Sequence, residues 1–392
     1  MTDFTTEVLI VGAGPAGLAT AIGLARRGID FVIVDALGEA QNTSRAAVIH
    51  AATLEALDRL GVADRLVAHG IKVPHFRIRD RDRVLFHSDF SVLSTKTPYT
   101  LMIPQDESEG ILVGKLAELG HQARRPVRLT GFEETGDCVR AACEGQDGAF
   151  TVTARYIVGT DGGKSAVRAG AGIDFPGDTY GSFLLADVRM DLPIARDEVT
   201  LFFSEAGTLV IAPMSNARYR VVAQFPDAPA EPTREDVQKL IDARGPRGGV
   251  HVREVLWGSR FQVHHKLADT FFKGRVVLAG DAAHVHSPAG GQGMNLGLRD
   301  AEALAGALAE ALDSGGDAPL AAYAEARRAA AAEVLAMTDR LTKVATLSSP
   351  LARWVRNRLI GLAGAFAGNR KLFATRLAGL ASRRADNSAA RS

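Results

Sequence analysis

Apolar and polar positions follow two rhythms along this chain. Short continuous apolar runs stand at Val8-Leu9-Ile10-Val11, Phe31-Val32-Ile33-Val34, Tyr156-Ile157-Val158-Gly159-Thr160 and Arg275-Val276-Val277-Leu278-Ala279. Such runs predict strands covered on both faces, as in a parallel sheet. Between the first two, Leu18 to Arg27 has helical spacing and closes at Gly28, a C-cap signal. Helical spacing recurs at Thr53 to Leu60 (stopped by Gly61), Glu107 to Leu119 and Arg234 to Ala243, and in two Ala-rich stretches, Leu296 to Asp313 and Leu320 to Thr342. The other rhythm is alternation. Phe76-Arg77-Ile78-Arg79 and Val84-Leu85-Phe86-His87 predict strands with one wet face. Val127 to Val152 reads as short antiparallel strands with Gly-rich turns. Val199 to Phe203, Leu209 to Ala212 and Tyr219 to Phe225 are further strands.

The rhythms are interleaved. Segments 1–72, 100–180 and 267–345 read as α/β, and segments 73–99 and 181–266 are strand-rich. A discontinuous second domain built from two insertions accounts for this pattern better than a tandem. Residues 346–392 form a separate tail, and no internal repeat is visible. The 392-residue length suits two or three domains.

Composition narrows the classes. With 46% hydrophobic and 23% charged residues, the chain is neither disordered nor collagen-like. Lys+Arg (46) and Asp+Glu (45) nearly cancel, so no general nucleic-acid-binding signature exists. Cys138 and Cys143 make neither a disulfide framework nor a zinc set and read as inert thiols. Met1 to Glu7 has no basic leader, and Leu359 to Gly368 is about half the ~20 residues of a membrane span. The expectation is a cytoplasmic protein without a transmembrane segment.

Gly12-Ala13-Gly14-Pro15-Ala16-Gly17 follows the first strand at once and opens the first helix. This is the dinucleotide fingerprint: Gly12 for the tight turn, Gly14 for approach to a pyrophosphate, Gly17 for helix–strand packing. Asp35 ends the second strand 18 residues after Gly17, where a carboxylate accepts ribose hydroxyls. The competing reading is a Gly-rich turn in a flavodoxin-like sheet. The fingerprint alone does not separate NAD from FAD. Two further stretches place an Asp beside Gly at a strand end: Gly159-Thr160-Asp161-Gly162-Gly163-Lys164-Ser165-Ala166-Val167-Arg168 and Arg275-Val276-Val277-Leu278-Ala279-Gly280-Asp281-Ala282-Ala283-His284.

In this order, the three stretches resemble the signature of the class A flavoprotein monooxygenases, the p-hydroxybenzoate hydroxylase-like flavin hydroxylases. The resemblance spans roughly residues 5–345 and implies an α/β fold: a Rossmann-like FAD-binding domain with an inserted antiparallel-sheet substrate domain and a helical C-terminal tail. It implies that the first motif binds the ADP half of FAD. Asp161 then lies near the pyrophosphate and is implicated in both FAD and NAD(P)H binding, and Asp281 contacts the ribityl chain. Ser44-Arg45-Ala46, Leu101-Met102-Ile103-Pro104-Gln105 and His286-Ser287-Pro288-Ala289-Gly290-Gly291-Gln292-Gly293-Met294-Asn295 extend the likeness. They add Arg45, Gln105, Pro288, Gly291, Gly293, Met294 and Asn295 as cofactor neighbours. A helix beginning within Gly290 to Asn295 would turn free N–H groups toward the negative charge of reduced flavin. Arg45 could pair with that charge or only with a phosphate, and Asp281 could be a bare helix N-cap. The likeness is greatest to the phenol and aromatic-polyketide hydroxylases, many of which carry a thioredoxin-like C-terminal domain for which residues after 345 are too few.

The implied activity is hydroxylation of a small aromatic, phenolic or polyketide-like, substrate with O2 and NADPH or NADH through a flavin C4a-hydroperoxide. No second Gly-rich fingerprint appears, which fits a nicotinamide coenzyme that visits transiently. Alternatives are an FAD-linked saturase that inserts no oxygen, and a flavin-bound protein without catalysis. The substrate-activating residue is open: Arg218, Tyr219 and Arg220 are floor-strand candidates that could equally be sheet-surface residues. His264-His265 and His284-x-His286 lack the companions of a metal site. No Gly-x-Ser-x-Gly elbow occurs, and Trp257 and Trp354 stand outside any Trp-x-Trp-x-Ile run, which disfavours halogenation. The region from Asp339 to Ser392 has eleven Lys/Arg against two Asp. It is expected to pack as helices with solvated basic faces, with peripheral membrane contact as the other reading. Oligomeric state is not indicated.

Overall fold

The computed structural model describes residues 3–39, 46–225, 228–287, 290–345, 347 and 349–382. The fold is mixed α/β. Its first sheet gathers the continuous apolar runs. Phe4–Val11 lies between Phe31–Val34 and Gly148–Gly159, all parallel, and Val276–Leu278 continues the order on the far side of Gly148–Gly159. Leu9, Ile10, Ile157, Val158, Val276 and Val277 are wholly buried there. The helices Pro15–Ala25 and Gly293–Ser314 pack on one another so closely that a Cβ on Gly23 would stand 2.5 Å from that of Ala305.

Gly148–Gly159 is one strand where the pattern suggests two. Its first half pairs antiparallel with Cys138–Gly145 and keeps one wetter side, with Thr151, Thr153 and Arg155 half-buried. From Tyr156 onward both sides are covered, so alternation gives way to a continuous apolar run without a break in the backbone.

The second sheet has eight strands, in the order His284–Val285, His251–Leu267, Gly177–Asp191, Arg218–Gln224, Gly207–Pro213, Glu198–Ser204, His75–Asp80, Arg83–Asp89. Neighbours are antiparallel except Glu198–Ser204 with His75–Asp80. One face packs on the helix Arg234–Arg244, where Leu184, Ala186, Phe202, Ile211, Tyr219 and Val221 join Val237, Leu240 and Ile241. A capping box starts that helix: the Thr233 hydroxyl accepts from the Asp236 amide, and the Asp236 carboxylate accepts from the Thr233 amide. On the other face Ala212 meets Val73 and Met102 of a small third sheet (Val48–Ile49, Thr100–Met102, Ile71–Val73) and Ala47 just before it. Arg220 pairs across the ladder with Ala212 and Asp187, so it shares that face.

The helices Pro350–Ala365 and Ala367–Leu377 lie on the strand Arg83–Asp89. Arg358, Lys371 and Arg376 stand in solvent, as expected of basic faces, but the exposed side is also apolar. Arg356 is buried over the Phe203 ring, 4.2 Å from its centroid, and Asn357 donates to Asp80, whereas Trp354, Leu359, Leu362 and Phe366 are exposed.

Candidate functional site

The turn Gly12 to Gly17 stands at the end of the central strand. Gly12 has φ +102°, and a Cβ there would come 2.4 Å from the Thr160 carbonyl oxygen. A Cβ on Gly17 would come 1.9 Å from the Gly12 carbonyl oxygen, whereas at Gly14 nothing lies within 4 Å. The helix behind starts with Pro15, and Gly14 gives no side-chain cap, so its first-turn N–H groups face this opening. Open space before an uncapped helix N-terminus is what a pyrophosphate requires.

Asp35 sits at the mouth. Its Oδ2 accepts from the Ala13 amide at 2.7 Å and its Oδ1 from the Leu37 amide at 2.8 Å, leaving lone pairs for hydroxyl donors. Arg125 donates to the Ala13 carbonyl at 2.7 Å and lies 3.7 Å from Asp35 Oδ2. The motif reading missed Arg125, which lies 112 residues from Ala13. No local pattern marks it.

The two Asp-bearing stretches meet the first turn. Thr160 Oγ1 donates to the Val11 and Gly12 carbonyls. Asp161 Oδ2 accepts from the Ala166 amide at 2.7 Å, while its Oδ1 is buried with no hydrogen-bond partner among the described residues. Burial pushes this carboxyl up, against the pull of Ser165 and nearby amides. The orphaned oxygen marks a position that a ligand donor or water must fill. Arg168 ties the second stretch to the third, donating to the Gly163 carbonyl at 2.9 Å and the Ala282 carbonyl at 2.8 Å. Asp281 is exposed on the short turn Gly280–Ala282, at the end of the strand Val276–Leu278 rather than at a long helix.

The long helix begins at Gly293, inside the Gly290 to Asn295 stretch, after Gly290 (φ +79°) and Gly291 (φ +62°) form a left-handed turn. Gln292 provides no side-chain cap, so the amides of Gly293, Met294 and Asn295 occupy a first turn with no intrahelical acceptors. The Asn295 side chain is a brace. Its Oδ1 accepts from the His50 amide at 2.7 Å, and its Nδ2 donates to the Gly291 carbonyl at 2.7 Å and the Val48 carbonyl at 2.8 Å. His50 Nε2 donates to the Gly290 carbonyl at 2.8 Å, and its buried Nδ1 has no partner among the described residues. Burial lowers His50 to about 4, against the pull of that carbonyl, so the ring is neutral.

Beneath the loop lies a fully buried carboxylate. Asp300 accepts from His284 Nε2 at 2.6 Å and Arg327 Nε at 2.7 Å. Burial opposes its charge, but Arg327 and His284 outweigh burial and hold the carboxyl below its ordinary value. His284 is thus spoken for by Asp300, and His264 Nδ1 lies 2.9 Å from Thr179 Oγ1.

Arg45 and Pro288 lie outside the described residues. Gln105 opens the helix Gln105–Glu118, where its Oε1 accepts from the Ala46 amide at 3.1 Å and its Nε2 donates to Glu109 at 2.6 Å. Of the floor-strand candidates, Tyr219 is buried in the core on the opposite face. Arg218 is bonded to Glu107 at 2.8 Å and Arg220 to Asp187 through two bonds at 2.7 and 2.8 Å.

Residues 5–338 match the family model described as "FAD binding domain". The chain is 36% identical over 354 residues to a 6-methylpretetramide 4-monooxygenase of Streptomyces rimosus, covering 88% of this chain and 63% of the relative. It is also 36% identical over 351 residues to an uncharacterized aromatic compound monooxygenase of Bacillus subtilis, covering 86% of this chain and 68% of that one. It thus spans about two thirds of the length of these relatives. A solved p-nitrophenol 4-monooxygenase from Pseudomonas putida superimposes with a TM-score of 0.85 at 26% identity, covering 96% of this chain and 98% of that one. The family match and these likenesses, over nearly the same span as the three motifs, show that the chain belongs to the class A flavoprotein monooxygenases, the FAD-binding family of aromatic and polyketide hydroxylases.

Proposed function

We propose that this chain binds FAD and uses NADH or NADPH and O2 to hydroxylate a small aromatic compound, phenolic or polyketide-like. The observation that carries this is the opening at Gly14, empty to 4 Å and framed by an uncapped helix start, Asp35 and the orphaned Asp161 oxygen. When bound, FAD supplies reduction by the nicotinamide coenzyme and transfer of one oxygen atom from O2. The chain supplies the rest. The amides at the start of Pro15–Ala25 take the pyrophosphate, Asp35 the ribose, and Asp281 a ribityl hydroxyl. The first-turn amides of Gly293, Met294 and Asn295, which have no intrahelical acceptor four residues back, stabilise negative charge before them, while His50 and the Asn295 side chain keep that turn from shifting. Segments 1–72, 100–180 and 267–345 thereby form the nucleotide-binding part. Segments 73–99 and 181–266, joined by residues 177–180, Leu267 and His284–Val285, supply the eight-stranded sheet whose Ala212-bearing face is the substrate floor. Water excluded between the two would lengthen the life of the oxidant.

NAD(P)H consumption by purified holoenzyme in air, with a panel of phenols and polycyclic aromatics, tests the reading. Strong stimulation by at least one compound is expected. A basal rate unchanged across the whole panel would contradict it.

A further inference from the structure

The helix Pro350–Ala365 turns a mixed side inward and an apolar side outward. Inward, Ile360 packs on Ile78, Leu85, Phe86 and Phe203, Arg356 donates to the Val344 carbonyl at 3.2 Å, and Asn357 Nδ2 donates to Asp80 at 3.1 Å. Its outward side carries Leu351, Trp354, Val355, Leu359 and Leu362, continued by Phe366, with Leu351 70% and Phe366 64% exposed. These positions recur every three or four residues and form one stripe. Of the thirteen exposed large apolar residues among those described, nine fall between Val344 and Leu372. Such concentration marks an interaction surface rather than scattered exposure.

Charge selects the occupant. From Arg340 to Ala385 the chain contains no Asp or Glu. Arg358, Lys371 and Arg376 are exposed along the two helices, and the Arg358 guanidinium stacks on Trp354, 5.2 Å from the ring centroid. A second copy of this face would bring like charges together with no acid on either helix to pair them. It would also be small: a 16-residue helix offers a strip about 24 Å long and about 10–12 Å wide, on the order of 300 Å², against roughly 800 Å² per partner in a stable interface. An anionic lipid surface meets both demands, taking the apolar stripe into its acyl boundary and the flanking cations at its headgroups. We propose that Pro350–Ala365, with the start of the next helix, is an interfacial anchor that seats this protein on an anionic membrane.

The test is flotation of the full flavin-loaded chain with vesicles of phosphatidylcholine alone or mixed with phosphatidylglycerol, at low and high salt. The expected result is binding to the mixed vesicles only, weakened by salt, with a blue shift of tryptophan emission that disappears in Trp354→Phe. The double variant Leu359→Glu/Leu362→Glu, at two solvent-facing positions, should keep its melting temperature and flavin while partitioning falls roughly tenfold or more. Equal binding to neutral and anionic vesicles, or binding indifferent to the double variant, would overturn the proposal. So would absence of vesicle binding together with a dimer that the double variant dissolves, which would assign the stripe to a second copy. None of these readings depends on hydroxylase turnover, so the proposal can fail while the enzymatic one stands.

Discussion

Gly14 and Gly17 share one turn, yet a methyl group at each has opposite consequences. Gly14 has φ −78° and open space where a Cβ would stand, so Gly14→Ala should fold within about 1 kcal/mol of the parent. It should nevertheless lose flavin, because the methyl group occupies the proposed pyrophosphate position. Gly17→Ala drives a Cβ to 1.9 Å from a backbone carbonyl and should destabilise even the apoprotein, by about 1–3 kcal/mol or more. Thermal unfolding of both apoproteins and flavin content after reconstitution separate the two effects. Asp300 makes a different case. Asp300→Asn leaves Arg327 buried beside an uncharged group, at a cost of about 3–5 kcal/mol in denaturant unfolding. Its lowered carboxyl contributes stability above the ordinary carboxylate range near 3.9, and that contribution is lost as pH falls through the lower folded value. The glycines were legible in the sequence because their demands are local. Asp300 was not: within an amphipathic helix it reads as one more polar residue, and Arg327 is 27 positions away.

At the scale of elements, the turn before Gly293–Ser314 is the piece whose state follows pH. His50 and His286 are both lowered to about 4, chiefly by burial, and His50 holds the Gly290 carbonyl. The unfolded chain protonates its histidines near 6.5, so between about 6.5 and about 4 it binds more protons than the folded one. Stability is therefore present above that window and lost as pH falls through it. His50→Gln, which keeps a donor for Gly290, should flatten the slope by up to roughly 1.4 kcal/mol per pH unit, read from unfolding midpoints across the window. A slope unchanged by the substitution would show that His50 is not buried and neutral. Element boundaries were legible where one environment persists, as in Phe31–Val34. They were misread where the environment changes along the element, as in Gly148–Gly159.

Across the whole molecule, the alternation of α/β and strand-rich segments was visible because each rhythm reflects how many sides of a strand are covered. The order of the second sheet was not, since Glu198–Ser204 pairs with His75–Asp80 from a distant insertion and nothing local encodes that ladder. The tail was legible as basic and helical, but not which side turns inward, because that depends on Phe203 and Asp80 beneath it. Both sheets serve the central claim only if the first holds FAD and the second presents an aromatic compound to it. The most direct measurement is the mass of the product formed by holoenzyme, NAD(P)H and a stimulating phenol under isotopically labelled dioxygen. Product carrying one labelled oxygen on the ring is the predicted result. Coenzyme-dependent turnover giving a reduced product, or one whose oxygen comes from water, would contradict the account.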